Sequence, residues 1–101
     1  MFTNEKKVFL MEKDRSKENA LTARVPPGAM FEHYKGKRYK VLGVARHSET
    51  LQLYVTYQAL YDSSEFGNQA TWVRPIEMFL ENVIIDGEEK PRFKLLAESV
   101  C

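Results

Sequence analysis

A two-residue period along Leu51–Tyr61 constrains the fold of this chain more than any other feature of its sequence. Because successive side chains of a β-strand point to opposite faces, this period predicts a half-buried strand. A weaker period of the same kind runs along Arg38–Arg46, and the polar segment His47–Thr50 separates the two. A loop of that length and polarity is typical of a hairpin, so the two strands are predicted to pair. The face predicted to point inward carries Tyr39, Val41, Gly43 and Ala45 on the first strand and Leu51, Leu53, Val55, Tyr57, Ala59 and Tyr61 on the second.

Shorter segments with strand character flank this hairpin: Met30–Tyr34, Thr71–Val73, Asn82–Ile85 and Arg92–Leu96. The turn Asp86-Gly87 is predicted to join the last two as a second hairpin. Pro75 suits the first turn of a helix because that position needs no N–H donor, so a short helix is predicted over Ile76–Leu80. Five or six strands with one helical turn predict an all-β domain, a small barrel or roll that could be SH3-like, because closure removes exposed edges.

The first 24 residues lack this pattern and are predicted to be an appendage to a compact module over residues 25–101. Within the appendage, Val8–Met11 could add an edge strand, and Ser16–Ala23 could form a short helix capped by Ser16. The segment Val25-Pro26-Pro27-Gly28 breaks any helix and marks the start of the module.

Composition excludes several classes of protein. A chain of 101 residues with 44% hydrophobic and 29% charged residues fits one globular domain with a modest core. The net charge of +1 provides no strong field for nucleic acid or an anionic membrane, so such binding would need a local patch. The single cysteine, Cys101, excludes an internal disulfide and fits a cytoplasmic protein. Since the longest N-terminal apolar run is Val8–Met11, neither a signal peptide nor a membrane span is expected.

The loop His47–Thr50 is the one place where a base, hydroxyls and a carboxylate cluster in the sequence. A hydrolase would need His47 to accept the Ser48 proton while Glu49 orients the ring, a geometry that consecutive residues rarely reach. We therefore favour Ser48 and Thr50 bonding the backbone of their own turn, with ligand recognition by the loop as an intermediate possibility. The sequence predicts no catalytic group, no cofactor and no metal site, since the two histidines lack further ligands at useful spacing.

A basic stretch and a tryptophan-containing segment are the other candidate sites. Lys35, Lys37, Arg38, Lys40 and Arg46 lie close to Tyr34 and Tyr39, a combination by which small barrels hold single-stranded nucleic acid. The alternative is a solvated strand face whose lysines discourage edge pairing. In Trp72–Pro75, Trp72 could pack on Tyr57 and Phe79, and Arg74 could bridge to Glu77 or a buried carbonyl. The alternative, less favoured for Trp72 than for Arg74, is that both line an exposed groove with Tyr54 or Tyr61 nearby, because tryptophan, tyrosine and arginine often anchor interfaces.

Several of these segments together resemble one family of small domains. They are His33–Gly36, Tyr39–Gly43, Ala45–Thr50, Val55–Tyr57, Leu60–Tyr61, Trp72–Pro75 and Met78–Phe79. In this combination the stretch His33–Phe93 resembles DUF1653, a bacterial domain family of unknown function. The resemblance implies a compact β-rich fold, a bacterial origin and no assigned activity. It does not extend to the first 24 residues.

The resulting hypothesis is a noncatalytic recognition module for a protein, a peptide or a small ligand, with no membrane partner. Its candidate ligand-binding residues are His47, Ser48, Glu49, Thr50, Tyr57, Trp72 and Arg74. The first alternative is a nucleic-acid-binding module that uses the basic stretch. The second is a hydrolase built on His47, Ser48 and Glu49.

Overall fold

The computed structural model describes residues 15–98. The predicted edge strand Val8–Met11 and Cys101 lie outside the described residues. The helices are α1 (residues 15–22) and α2 (Ile76–Phe79). The strands are β1 (Met30–His33), β2 (Arg38–Arg46), β3 (Leu53–Ala59), β4 (Asp62–Ser63), β5 (Gly67–Asn68), β6 (Thr71–Pro75), β7 (Asn82–Ile85), β8 (Glu88–Pro91) and β9 (Phe93–Ala97).

Five antiparallel strands form the main sheet, in the order β6-β3-β2-β1-β9. The predicted mostly β fold with a short helical turn after Pro75 is therefore confirmed. The predicted hairpin of β2 and β3 is also confirmed. The sheet is not closed into a barrel, because β6 and β9 lie at its two edges within the described part of the chain. None of the helices in residues 15–98 has the length and apolar character needed to cross a membrane.

The predicted pairing of Asn82–Ile85 with Arg92–Leu96 is wrong. β7 pairs with β8, and β9 pairs with β1. Asp86 and Gly87 both have positive φ angles, 52° and 79°. Consecutive left-handed residues make the tight two-residue turn that pairs a strand with the residues directly after it. The strand Phe93–Ala97 is thereby left to complete the main sheet.

A β-bulge in β2 changes the predicted faces of that strand. Val41 lies opposite Tyr57 and Gly43 lies opposite Thr56, so Leu42 is an extra residue without a partner. A single extra residue moves every later side chain of the strand to the other face. Val44 and Arg46 therefore share the face of Tyr39 and Val41, and the predicted inward positions of Gly43 and Ala45 are wrong.

The core lies on one face of the main sheet, here called the inner face. Along β3, Leu53, Val55, Tyr57 and Ala59 are buried on this face and alternate with half-buried residues on the outer face, as the period predicts. From α2, Phe79 is fully buried and stacks on Phe93 with 4.0 Å between ring centroids. Because Phe79 also meets Phe31 and Tyr57 edge to face, α2 covers the centre of the inner face.

The helix α1 lies within the stretch predicted to be an appendage. Ser16 is inside this helix rather than at its cap. Leu21 of α1 packs against the core, and Val25, directly after the helix, is fully buried. Residues 15–25 therefore contribute to the packing of the described domain, whereas the predicted boundary at residue 24 stays a prediction.

Candidate ligand-binding site

The strand β6 places two of the candidate residues side by side on the inner face. Trp72 and Arg74 are half-buried, whereas the alternate residues Thr71 and Val73 are exposed. Trp72 lies directly opposite Tyr57 in the register of β6 and β3, and it packs against the core. Arg74 lies opposite Val55 in the same register. Three of the candidate ligand-binding residues thus lie together.

Arg74 has few partners for its guanidinium group. Its Nε donates one long hydrogen bond, 3.4 Å, to the Tyr57 hydroxyl. Its guanidinium carbon lies 5.8 Å from the centre of the Phe93 ring, within the range of a cation–π contact. Arg74 forms no ion pair with any residue between 15 and 98. The bridge to Glu77 does not form, because Glu77 pairs with Lys17 at 3.7 Å.

Two further tyrosines, Tyr39 and Tyr61, form a cluster with Tyr57 on the open part of the inner face. The Tyr39 and Tyr61 hydroxyl oxygens are 2.6 Å apart and share a hydrogen bond. The Tyr39 ring also meets Tyr57 and Phe93 edge to face, at 5.3 and 5.7 Å between centroids. Burial, followed by the hydrogen bond with Tyr61, raises the pKa of Tyr39 well above its usual value. Tyr39 is therefore a neutral phenol that can donate or accept a hydrogen bond but does not act as a base.

The surroundings of this tyrosine cluster are positively charged. Burial lowers the pKa of His33, and the positive charges of Arg74, Arg92 and Lys35 lower it further. The Lys37 ammonium lies 4.7 Å from the centre of the Tyr61 ring. Arg92 pairs with Glu81, which neutralises one of these charges. A region with several cations and few carboxylates attracts anions.

The predicted basic stretch does not form one continuous surface. Arg46 lies on the inner face, where it binds Glu18 of α1 at 3.0 Å and the Leu51 carbonyl at 2.8 Å. Arg38 pairs with Glu32 at 3.6 Å. Lys40 lies opposite Gln58, on the outer face. Lys37 lies over the Tyr61 ring and Lys35 over the Tyr34 ring, and neither forms an ion pair within residues 15–98.

The His47 loop is built around its own backbone. The His47 Nδ1 accepts hydrogen bonds from the backbone N–H groups of Glu49 and Thr50, at 3.1 and 3.2 Å. The Thr50 hydroxyl accepts a further one from the backbone of Gln52, at 3.3 Å. Ser48 and Glu49 are exposed, and neither side chain bonds His47 in the described structure. The side chains of His47 and Thr50 therefore stabilise the turn, whereas the predicted bond from the Ser48 hydroxyl to the turn does not form, and no triad is assembled from these residues.

The sheet divides the predicted site in two. The His47 ring lies 6.0 Å from the Tyr54 ring. Tyr54 alternates with the buried residues of β3 and therefore lies on the outer face. Ala45, Arg46, Thr56 and Val73 join these two rings to line a shallow, mostly apolar groove. Tyr57, Trp72 and Arg74 lie on the inner face, so the sheet separates them from the His47 ring.

Several residues of the inner-face site were missed by sequence reasoning. Tyr39 and Tyr61 were placed on the correct face, but nothing in the sequence indicated that their hydroxyls meet. The proximity of Phe93 and His33 depends on the pairing of β9 with β1, which a short-range pattern does not reveal. Phe66 lies 5.0 Å from Trp72, in a turn where the Ser63 hydroxyl accepts hydrogen bonds from the backbone of residues 65 and 66.

Comparison with known proteins identifies related domains. A model of the DUF1653 family, described as a protein of unknown function, matches residues 29–95. The chain is also similar to the crystal structure of a DUF1653 protein from Bordetella bronchiseptica, with 30% sequence identity and a TM-score of 0.65. The superposition covers 79% of this chain and 97% of that one. The resemblance inferred from His33–Phe93 is thereby confirmed. A search of curated proteins found no match.

Proposed function

The chain belongs to the DUF1653 family, and we propose that it is a noncatalytic binding module in which Arg74 holds an anionic group of the ligand. One observation carries this proposal. Arg74 is half-buried among aromatic rings, yet within residues 15–98 it has no carboxylate partner and one long hydrogen bond. A guanidinium group offers five N–H donors, so most of its capacity is available to a ligand.

An arginine at this position is not expected to stabilise the fold more than a hydrophobic side chain would. Moving a charge out of water costs free energy that an ion pair would offset, and a cation–π contact returns only about 0.5–2 kcal/mol. A hydrophobic side chain of similar volume would fill the space beside Phe93 without that cost. An anion bound at Arg74 would supply the missing partner through short, charge-assisted hydrogen bonds.

The groups around Arg74 favour binding over chemistry. The hydroxyls of Tyr57, Tyr39 and Tyr61 can orient a polar group, and the rings of Trp72 and Phe66 offer an apolar wall beside it. Tyr39 stays protonated, so it is suited to hydrogen bonding and not to accepting a proton. The single cysteine and the balanced charge of the chain are the reasons for placing this module in the cytoplasm.

Titration with small aromatic anions tests the proposal. Phenyl phosphate and phenylacetate each carry one ring and one anionic group, and they distinguish a phosphate from a carboxylate ligand. NMR spectra of the arginine Nε–H groups should show a saturable shift for Arg74 with at least one of them. Arg74→Lys should weaken this binding by about tenfold, because lysine keeps the charge and loses the planar fork of donors.

Arg24→Lys is the matched control for that titration. Arg24 is exposed and forms no ion pair within the described residues, so its substitution should leave the affinity unchanged. If neither probe shifts the Arg74 resonance, Arg74 is not an anion site and the proposed function is wrong.

A further inference from the structure

Within residues 15–98 the strand β6 has a free edge, because it is hydrogen-bonded to β3 on one side and lies at the end of the main sheet. The Ala59 N–H donates to the Ala70 carbonyl at 2.8 Å, which fixes one hydrogen-bonded pair of this ladder. Such pairs alternate along antiparallel strands. In the observed register Trp72 and Arg74 therefore bond to β3, whereas the N–H and C=O groups of Thr71 and Val73 point to the free edge.

The position of Pro75 supports this assignment independently. Pro75 lies opposite Tyr54, two residues beyond the Thr56–Val73 pair, and so belongs to the set whose backbone faces the edge. A proline there loses no hydrogen bond to β3, because it has no N–H to donate. The edge groups available to another strand are thus those of Thr71 and Val73.

Of the residues that commonly protect a free strand, β6 has Pro75 at its end but no lysine along its solvent side. Edge strands are often covered with lysine or other charged residues on the solvent side. In β6 the solvent-side residues are Thr71 and Val73, and Val73 is 61% exposed. The other edge, β9, carries the exposed lysine Lys94. β6 therefore offers a hydrogen-bonding backbone beside an exposed apolar side chain.

The two faces next to β6 differ in chemistry. On the outer face, Val73 continues into the mostly apolar groove, whose other lining residues are Ala45, Arg46, His47, Tyr54 and Thr56. On the inner face, Arg74 presents a cation with no carboxylate partner among residues 15–98. A strand added to this edge would place alternate side chains on the two faces. Apolar side chains would fit the outer face and acidic ones the inner face.

We infer that the ligand is an extended peptide segment with alternating apolar and acidic residues, which adds to the main sheet as a strand beside β6. Backbone hydrogen bonds to Thr71 and Val73 give affinity, in the manner of other strand-addition domains. A carboxylate paired with Arg74 selects acidic peptides. This inference rests on the proposed function, since it names the ligand whose anionic group Arg74 holds.

Amide hydrogen exchange measured by NMR on the whole chain tests the inference directly. The probe is a short blocked peptide in which valine and glutamate alternate. Without peptide, the amides of Trp72 and Arg74 should exchange slowly and those of Thr71 and Val73 rapidly. At saturating peptide, exchange at Thr71 and Val73 should slow by about tenfold or more, because their N–H groups gain acceptors.

Two matched peptides separate the contributions of charge and pattern. Replacing glutamate by glutamine in the peptide should weaken its binding by about tenfold. The Arg74→Gln variant should bind the glutamate and glutamine peptides equally. A peptide of the same composition with valines and glutamates in separate blocks should bind more weakly, because its side chains no longer match the two faces.

Val73→Pro should block binding, whereas Val73→Thr, which keeps the edge N–H, should retain it.

Three results would overturn the inference. A shift at Arg74 without slower exchange at Val73 means that an anion binds but no strand is added, and the proposed function then survives alone. Equal binding of the glutamine peptide removes the role of Arg74 in selecting the peptide. Slow exchange at Val73 without peptide, together with a dimer in sedimentation experiments, means that a second copy of the chain occupies the edge.

Discussion

The two ends of the inner face differ in how completely they are covered. The part under α2, here called the covered end, buries Val55, Ile76 and Phe79. At the other end Tyr39, Tyr61, Trp72 and Arg74 are only half-buried and carry polar groups. The covered end is built for stability, whereas the open end retains hydrogen-bonding capacity that residues 15–98 leave unused. This difference indicates where a ligand can bind without disturbing the fold.

The largest effect that separates the two ends is expected from truncating Phe79. Phe79→Ala should lower the free energy of unfolding by about 3–5 kcal/mol, because it removes a buried ring and leaves a cavity against Phe93. Phe66→Ala, at the open end, should change it by less than about 0.5 kcal/mol, since Phe66 is 58% exposed. Urea denaturation measures both changes. Equal losses for the two variants would show that the open end contributes as much to stability as the covered one.

The covered end was largely predictable from the sequence. The period along Leu51–Tyr61 assigned the buried face of β3 correctly, because a two-residue alternation maps directly onto the two faces of a strand. Pro75 similarly indicated the start of α2. The bulge at Leu42 was not predictable, since one unpaired residue leaves no mark in composition yet reverses the faces of Val44 and Arg46.

The open end was predictable only in part. Trp72 and Tyr57 were paired correctly, because both lie on strands whose faces follow from alternation. The sheet separates the His47 loop from Arg74, an arrangement that the sequence did not reveal, and the joint site stays a prediction. The pairing of β9 with β1 brings Phe93 and His33 to the site, and a contact so distant along the chain has no local signal. An SH3-like architecture and a bacterial origin stay predictions.

Replacing Arg74 sharpens the comparison of the two ends, because it tests whether this residue of the open end contributes to stability. Arg74→Met should change the free energy of unfolding by less than about 1 kcal/mol, since methionine fills the space without a desolvated charge. The control Arg92→Met removes the partner of Glu81 and should cost about 1 kcal/mol. Both changes are measured by urea denaturation. A loss of several kcal/mol for Arg74→Met would mean that this arginine is structural, and the open end would then resemble the covered one.

The smallest expected effect is the pH dependence that His33 gives to the open end. Burial, then the charges of Arg74, Arg92 and Lys35, lower the pKa of His33 below the usual histidine value of roughly 6.5. As the pH is lowered through the usual histidine value, the unfolded chain takes up a proton at His33 that the folded chain still excludes. The free energy of unfolding therefore decreases as the pH is lowered. The loss stops growing once the pH is below the folded-state pKa of His33, where both states are protonated. His33→Gln should remove this component of the pH dependence.

An anion bound at Arg74 should partly reverse the lowering of the His33 pKa. Bound phenylacetate offsets the neighbouring positive charges, so the pKa of His33 should rise, and by linkage the probe should bind more tightly as the pH falls through this range. Histidine NMR resonances recorded between roughly pH 8 and pH 5, with and without the probe, measure the shift. With Arg74→Met, the probe should no longer move the His33 titration. If the His33 titration moves equally in that variant, the anion binds near His33 through other cations, and the open end holds its ligand without Arg74.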